Sequence, residues 1–228
     1  QSRSSAASDV YKRQIYTTMG LRQVPLPAKL LTLPCVLANC ESDGEKVASY
    51  IPDDEQGQYT AVRALLAEGY RRPLCLHLPE GHLATTRRRQ GLERACREAG
   101  LDPHSLAHSY MALGDEHYRD IPSVLLAHMQ NGIPRFDSVI CGNDRIAFMV
   151  YQTLLAQGLR IPEDVAVIGY DNMVGIGELF LPPLTTVQLP HYEIGRLSAL
   201  HIINGEEHQN ITRVESPFLM RDSVVHAS

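Results

Sequence analysis

The feature that most constrains this chain is an alternation of short apolar runs with longer amphipathic segments from Leu33 onward. Runs of strand length recur, and each is followed by a stretch whose apolar residues repeat at helical spacing. This alternation is typical of βα units and of a mainly parallel sheet. The sequence therefore predicts an α/β fold with strands at PCVLA (34–38), LCLHL (74–78), SVIC (138–141) and VAVIG (165–169).

Helix start and stop signals agree with this pattern. Asp53 and Asp54 can cap a helix that ends at Gly69, and glycines close several later helical segments. Further helices are predicted at 85–99, 117–130, 145–157 and 192–203.

Composition excludes several classes of protein. The 228 residues are 44% hydrophobic, which suffices for one large domain or two smaller lobes, and the net charge of -5 predicts poor nucleic-acid binding by this stretch alone. Five cysteines without a CxxC pair indicate reduced thiols in a cytoplasmic protein. No apolar run is long enough to cross a membrane, so no membrane contact is expected.

The first fourteen residues are polar and unpatterned, which indicates a non-native or disordered leader over 1–14. The segment IYTTMGL that follows has the character of a strand whose beginning is absent. The first lobe is therefore predicted to be truncated at its N-terminal side.

Hydrogen-bonding residues follow the predicted strands, where ligands bind in open parallel sheets. They are Asn39, the segment 85–88, Asn143 with Asp144, and Asp171 with Asn172. Carboxylates, amides and one arginine suit a polyhydroxylated ligand such as a sugar. Asn and Asp after a strand are also common helix caps, so this pattern alone leaves both interpretations open.

Three segments make the pattern specific: CGNDRIAFMVYQTLLAQGLRIP, RIPEDVAVIGYDN and LPPLTTVQLPHYEIGRLSA. Together with further segments over about residues 15–225, they resemble the LacI-type (lactose-repressor) family. The resemblance implies the type I periplasmic-binding-protein architecture, in which two lobes with parallel sheets enclose a cleft. The implied ranges are 15–72 with 187–205 for a partial N-terminal lobe and 73–186 with 206–228 for the C-terminal lobe, and the helix-turn-helix headpiece is absent.

The same resemblance implies a function. The chain would be the sugar-binding effector domain of a DNA-binding transcriptional repressor of a sugar-utilisation operon, with sucrose or a related sugar as effector. It also implies a cytoplasmic homodimer that reaches operator DNA only through the missing headpiece and needs no cofactor. A periplasmic sugar-binding protein of a transport system is the alternative.

Site residues are carried over from the family position by position. Arg88, three residues before Gly91, together with Asn143 and Asp171, is implied to contact the sugar. Asn39 matches a position where some relatives carry Asp, and His191 an aromatic position that can stack on a sugar. Weaker assignments are Asp144, which alternatively caps its helix, and His117 or Tyr118 in the loop GDEHY.

Other chemistries find little support in the sequence. His104 and His108 have i, i+4 spacing, but a proline interrupts the segment and no third ligand follows, so no metal site is predicted. VGIGELF has too few glycines for a dinucleotide loop. The chain has no G-x-S-x-G elbow, and we expect no catalytic residues and no enzyme.

Overall fold

A computed structural model describes residues 13–114 and 117–224, and within it the chain divides into two compact units. Among the described residues, unit 1 holds 13–53 together with Pro190–Glu215, and unit 2 holds Asp54–Leu189 together with 216–224. The chain thus passes from one unit to the other three times.

The strands and helices, numbered along the chain, are β1 (Gln14–Val24), β2 (Cys35–Ser42), β3 (Ser49–Pro52), α1 (Asp54–Ala67), β4 (Pro73–His77), α2 (Leu83–Glu98), β5 (Ala107–Tyr110), α3 (Ile121–Ala127), β6 (Met129–Gln130), β7 (Ile133–Pro134), β8 (Ser138–Cys141), α4 (Asp144–Ala156), β9 (Ala166–Ile168), β10 (Thr186–Val187), α5 (His191–Asn204), β11 (Ile211–Val214) and β12 (Phe218–Leu219). In the described ranges, no helix combines the length and apolarity needed to cross a bilayer.

Unit 1 is built on a parallel sheet of order β1-β2-β3-β11. Helix α5 packs on this sheet, and the apolar core between them includes Val36 and Ala38 of β2, Val214 of β11 and Ile194 of α5. Burial of these side chains gives the unit a small core of its own.

Unit 2 contains a parallel sheet of order β5-β4-β8-β9 with a helical layer on each face. Residues alternate along each strand, so that Leu74 and Leu76 of β4 pack with α3 and α4, whereas Cys75 packs with α1 and α2. A parallel sheet covered on both faces explains why these strands read as continuous apolar runs. The α/β prediction with parallel sheets is confirmed.

Most predicted elements lie within two residues of the observed ones, but β2 extends four residues beyond its predicted end, and one helix differs more. The helix predicted at 117–130 is wrong in extent, since α3 covers only 121–127. Asn131 and Gly132 both have positive φ, of 52° and 78°, and they join β6 to β7 as a two-residue hairpin. An Asn-Gly pair favours this turn, and it outweighs the helical spacing of the preceding residues.

The unit boundaries also differ from the predicted lobe ranges. Helix α1 belongs to unit 2 because it packs against α2, although its residues had been assigned to the first lobe. Strand β11 belongs to unit 1 because it pairs with β3, although 206–228 had been assigned to the second lobe. An amphipathic pattern indicates which face of an element is buried but not which sheet covers it.

Candidate functional site

The strongest candidate site lies in unit 2, at the carboxyl ends of the parallel strands β4, β8 and β9. The residues directly after these strands converge there because parallel strands end at one edge of a sheet. We call the group formed by Arg88, Asp54, Asp144, Tyr170 and Asp171 the arginine cluster.

Arg88 is the centre of this cluster and is only 7% exposed. Its Nε donates to Oδ1 of Asp54 at 2.9 Å, and its Nη1 donates to the carbonyl oxygen of Gly142 at 2.6 Å. Burial opposes the guanidinium charge, but the carboxylates of Asp54 and Asp171 and the Tyr170 side chain outweigh it, and the pKa of Arg88 lies above its usual value. Arg88 is therefore a fixed cation whose orientation is set by two partners.

Asp54 reaches Arg88 because α1 and α2 approach each other closely. A Cβ on Gly91 would collide with the backbone oxygen of Glu55, so glycine is required at this crossing. Arg88 lies about one turn before Gly91 on the same helix face. The contact point of the two helices thus places the Arg88 guanidinium beside Asp54, whose side chain is 0% exposed.

Tyr170 provides the apolar surface under the guanidinium. The Cζ atom of Arg88 lies 3.6 Å from the centre of the Tyr170 ring, within cation–π distance. The tyrosine is fully buried, and this burial holds its pKa far above the usual range, so the phenol stays neutral. Tyr170 therefore adds packing and quadrupole attraction without adding a charge.

Asp171 directly follows this tyrosine and has a φ of 114°. Its backbone is held by hydrogen bonds with Val187 and Leu189. Oδ1 lies 3.7 Å from Nη2 of Arg88, and the side chain keeps 26% of its surface exposed. Burial raises the pKa of Asp171 to about 7, with Arg88 opposing and the carboxylates of Asp144 and Asp54 adding to the rise. Near neutral pH this carboxyl group is close to its titration midpoint.

Asp144 has both carboxylate oxygens occupied. Oδ1 accepts from the Thr186 hydroxyl at 2.8 Å, and Oδ2 accepts from the backbone N–H of Met173 at 2.9 Å. A Cβ on Gly169 would collide with Oδ1, so glycine is needed for this approach. Through these hydrogen bonds, Asp144 holds the segment after β9 against the start of α4.

Asn143 is the N-cap of α4, because its Oδ1 accepts from the backbone N–H of Ile146 at 2.8 Å. The alternative that Asp144 is the capping residue is therefore wrong. The Nδ2 of Asn143 donates to the Tyr118 hydroxyl at 2.8 Å. Tyr118 is partly buried, whereas His117 is exposed, and residues 115–116 of the loop GDEHY lie outside the described residues.

The remaining two predicted residues belong to unit 1. Asn39 is 6% exposed, has a φ of 60°, and donates from Nδ2 to the Thr18 carbonyl at 3.1 Å. His191 is exposed at the first position of α5. The structure thus brings Arg88, Asp144 and Asp171 together and links Asn143 to Tyr118, with Asn39 and His191 in the other unit.

Sequence reasoning missed two members of the cluster. The sequence pattern identifies Asp54 only as a helix cap. It assigns no role to Tyr170, which lies between the glycine and the aspartate of GYDN. An available signal was the pair Gly57 and Gly91 on neighbouring helices, since a Cβ on Gly57 would lie 2.8 Å from the Tyr170 hydroxyl. Glycines within helices often mark a close approach of this kind.

Comparison with known proteins identifies the family of the chain. A family model described as periplasmic binding proteins and the sugar-binding domain of the LacI family matches residues 9–222. The sucrose operon repressors of Escherichia coli and Shigella flexneri are each 57% identical over 209 residues, covering 92% of this chain and 63% of theirs. The chain therefore spans less than two thirds of the length of these relatives.

Solved structures show the same fold. A LacI-family transcriptional regulator from Rhizobium etli superposes with a TM-score of 0.85 at 30% identity, over 96% of this chain and 80% of that one. A LacI-family regulator from Enterococcus faecium with bound ribose gives a TM-score of 0.73 at 26% identity, over 88% and 74%. Because the family model matches almost the whole of this chain, the chain belongs to the family of periplasmic binding proteins and LacI-type sugar-binding domains.

Proposed function

We propose that this chain is the effector-binding part of a transcriptional repressor of a sugar-utilisation operon, with sucrose or a related sugar as effector. The observation that carries the proposal is the buried Arg88 beside the partly exposed Asp171 at the strand ends of unit 2. The 57% identity to sucrose operon repressors supports the choice of sugar and favours a repressor over a transport protein. Because a repressor acts on DNA, the proposed location is the cytoplasm.

The chemistry of this pair suits neighbouring sugar hydroxyls. The Nε of Arg88 donates a hydrogen bond to Asp54, and its Nη1 donates one to the carbonyl of Gly142. Its Nη2 lies 3.7 Å from Oδ1 of Asp171, which is too far for a hydrogen bond. One hydroxyl can accept from Nη2 while its neighbour donates to Oδ1 of Asp171. Both groups are fixed by the fold before the sugar arrives, which lowers the entropy cost of binding.

Three further proposals concern the other predicted residues. Asn143 and Tyr118 form one hydrogen-bonded pair and are proposed to present their polar atoms together. Asp144 is proposed to act by positioning the segment before Met173, since its oxygens are already occupied. Contacts from Asn39, His191 and His117 are tested by replacing each with alanine.

Titration calorimetry with sucrose, fructose and glucose tests the proposal. We expect saturable heat with sucrose or with one of its component sugars, and a strongly reduced affinity in Asp171→Asn. The matched control is Arg97→Gln, which removes an exposed arginine from the last turn of α2 and should leave binding unchanged. If none of the three sugars binds, the proposed function is wrong.

Control of repression requires a further property. A sugar changes operator affinity only if it binds one conformation of the complete repressor more tightly than the other. Fluorescence anisotropy of labelled operator DNA with the complete repressor measures this directly. We expect sugar to shift the operator dissociation constant, and an unchanged constant would contradict the proposed switch.

We also propose that the protein forms a homodimer through an apolar surface of unit 2. Phe148 and Leu155 of α4 are 50% and 48% exposed, and Leu179 and Leu181 are 75% and 80% exposed nearby. These side chains, with Ile176, line a cavity of about 410 Å³. A contiguous exposed apolar surface of this kind is typical of a protein interface.

Sedimentation velocity tests the dimer. Leu179→Glu combined with Phe148→Glu should give a monomer, because charges at the centre of an apolar interface are costly to bury. Ile133→Glu is the control, since Ile133 is 70% exposed on the β6–β7 hairpin and away from this surface. A dimer that survives the double substitution places the interface elsewhere.

A further inference from the structure

A second cluster of polar side chains lies in unit 1, and the proposed sugar chemistry does not use it. We call it the histidine cluster. It consists of His201 in the last turn of α5, Glu206 and His208 in the connection to β11, and Tyr50 near the start of β3. His201 and Tyr50 are each 5% exposed, whereas the side chains of Glu206 and His208 are 37% and 34% exposed.

The end of α5 brings these residues together. Gly205 has a φ of 66°, and its N–H donates to the carbonyl of Ile202. The N–H of Glu206 donates to the carbonyl of His201 at 3.1 Å. These two bonds form a Schellman motif, which turns the chain back over the last helical turn. The turn places the carboxylate of Glu206 beside the helix end, so that its Oε2 lies 3.7 Å from Nδ1 of His201.

The four atoms of the cluster that could bind a metal ion lie close together. Nε2 of His208 lies 3.0 Å from Oε2 of Glu206, and the Tyr50 hydroxyl lies 3.3 Å from Nδ1 of His201 and 3.4 Å from Nε2 of His208. Zinc–nitrogen and zinc–oxygen bonds of about 2.0–2.1 Å give a tetrahedron with edges of about 3.3–3.4 Å. The observed separations are close to the edges of such a tetrahedron.

The donor types fit the same ion. Two imidazole nitrogens and a carboxylate oxygen are a common zinc ligand set, and a fourth oxygen completes tetrahedral coordination. The single carboxylate supplies charge that compensates a divalent cation.

An ion can also reach the cluster. A cavity of about 580 Å³ lies beside it in unit 1, lined in part by His201, Glu206 and His208. Since two of the four side chains are partly exposed, binding does not require opening of the core. The competing interpretation is a plain hydrogen-bond network, in which His208 donates to Glu206 and Tyr50 donates to His201.

We propose that His201, Glu206 and His208, with the Tyr50 hydroxyl in the fourth position, bind one divalent metal ion of the zinc class. The site joins the C-terminal end of α5 to β3 and to the connection that enters β11. It is separate from the arginine cluster, whose residues all belong to unit 2.

Cobalt provides the direct test, since tetrahedral Co²⁺ absorbs visible light far more strongly than the hydrated ion. The chelator-treated 228-residue chain is titrated with Co²⁺ and then with Zn²⁺. We expect one Co²⁺ per chain with the tetrahedral absorption, complete displacement by Zn²⁺, and a melting temperature that rises with Zn²⁺ concentration.

Three variants separate a metal site from a hydrogen-bond network. Glu206→Gln and His208→Gln change partly exposed side chains, so the metal-free chain should melt as before while zinc affinity falls by at least about 100-fold. Tyr50→Phe should lower affinity by about 10-fold and alter the cobalt spectrum. His104→Gln is the control, because His104 is exposed in unit 2, and it should bind as the parent does. Absence of stoichiometric cobalt binding, or parent-like affinity in His208→Gln, overturns the proposal.

Discussion

The arginine cluster of unit 2 and the histidine cluster of unit 1 use polar groups in different ways. The first buries a permanent cation against carboxylates at the carboxyl ends of parallel strands, with Asp54 at 0% and Asp144 at 1% exposure. The second gathers groups that are neutral or partly exposed near the amino end of β3. Charges buried together must compensate one another for the chain to fold, whereas the partly exposed side chains of Glu206 and His208 can change with little effect on folding.

The largest effect is expected from Arg88→Met, which keeps much of the side-chain volume but removes the cation. Asp54 then remains buried without its counter-ion, and we expect a loss of about 3–5 kcal/mol in the free energy of unfolding. Urea denaturation followed by circular dichroism measures it. Arg97→Gln on the same helix is the control and should unfold like the parent. Equal stability of the two variants would show that folding does not depend on the buried charge of Arg88.

Asp171→Asn should reduce sugar affinity by about 10- to 150-fold, since it replaces a charged acceptor at the site. It should also abolish a pH dependence. With a pKa of about 7, Asp171 gains charge as the pH rises from 6 to 8, and sugar affinity of the parent should rise over this range. Calorimetry at several pH values checks both effects, and a parent affinity that is independent of pH would contradict the role of this carboxylate.

The same titration has a second consequence of opposite direction. Because the folded-state pKa of Asp171 lies above its unfolded value, this group stabilises the fold at low pH, and its contribution is lost as the pH rises from about 4 to about 7. The asparagine variant should lack this decline. If the sugar affinity rises and the free energy of unfolding falls with pH in the parent but not in the asparagine variant, Asp171 is the source of both effects.

A smaller effect is expected from Gly169→Ala. Its new Cβ would collide with Asp144 and lie 2.7 Å from Cδ2 of Leu184, and we expect a loss of about 1–3 kcal/mol. Gly195→Ala on α5 of unit 1 is the matched control, since nothing lies within 4 Å of its Cβ. Alanine favours a helix, so this control should be neutral or stabilising by up to about 1 kcal/mol. Thermal denaturation distinguishes the two substitutions.

The smallest effect should come from Tyr50→Phe in the metal-free chain. It removes a hydroxyl that lies 3.3 Å from His201 but keeps the ring in place, and we expect a cost of about 1 kcal/mol. Chemical denaturation in the presence of a chelator gives this value. A cost as large as that of Arg88→Met would show that the histidine cluster is also required for folding.

The contrast between the units extends to what could be predicted from the sequence. The βα alternation located β4, β8 and β9, and strand ends are where open parallel sheets bind ligands, so Asn143 and Asp171 could be proposed from the pattern. Arg88 lies within α2 and was singled out only by the family resemblance. Asp54 was not, because its pairing with Arg88 depends on the crossing of two helices. That crossing is a tertiary contact, and a glycine within a helix indicates it only weakly.

The histidine cluster was even harder to predict from the sequence, because its residues also meet only in the tertiary fold. The expectation of no metal site was based on His104 and His108, because a proline interrupts their segment and no third ligand follows it. Residues 103–105 form a 3-10 turn and His108 lies on β5. His201, Glu206 and His208 are separated by a helix end, and Tyr50 lies about 150 positions away in sequence. Ligands that are assembled by a chain reversal and a neighbouring strand have no fixed spacing to search for.

The excess of carboxylates around Arg88 has a consequence for selectivity. One guanidinium faces the two carboxylates of Asp54 and Asp171, so Arg88 offers an incoming ligand no uncompensated positive charge. A phosphate group would meet repulsion there, since like charges in a poorly solvated site cost several kcal/mol, on the order of 4 at a separation of about 4 Å. If the proposed function holds, such a site would bind a free sugar in preference to its phosphate ester.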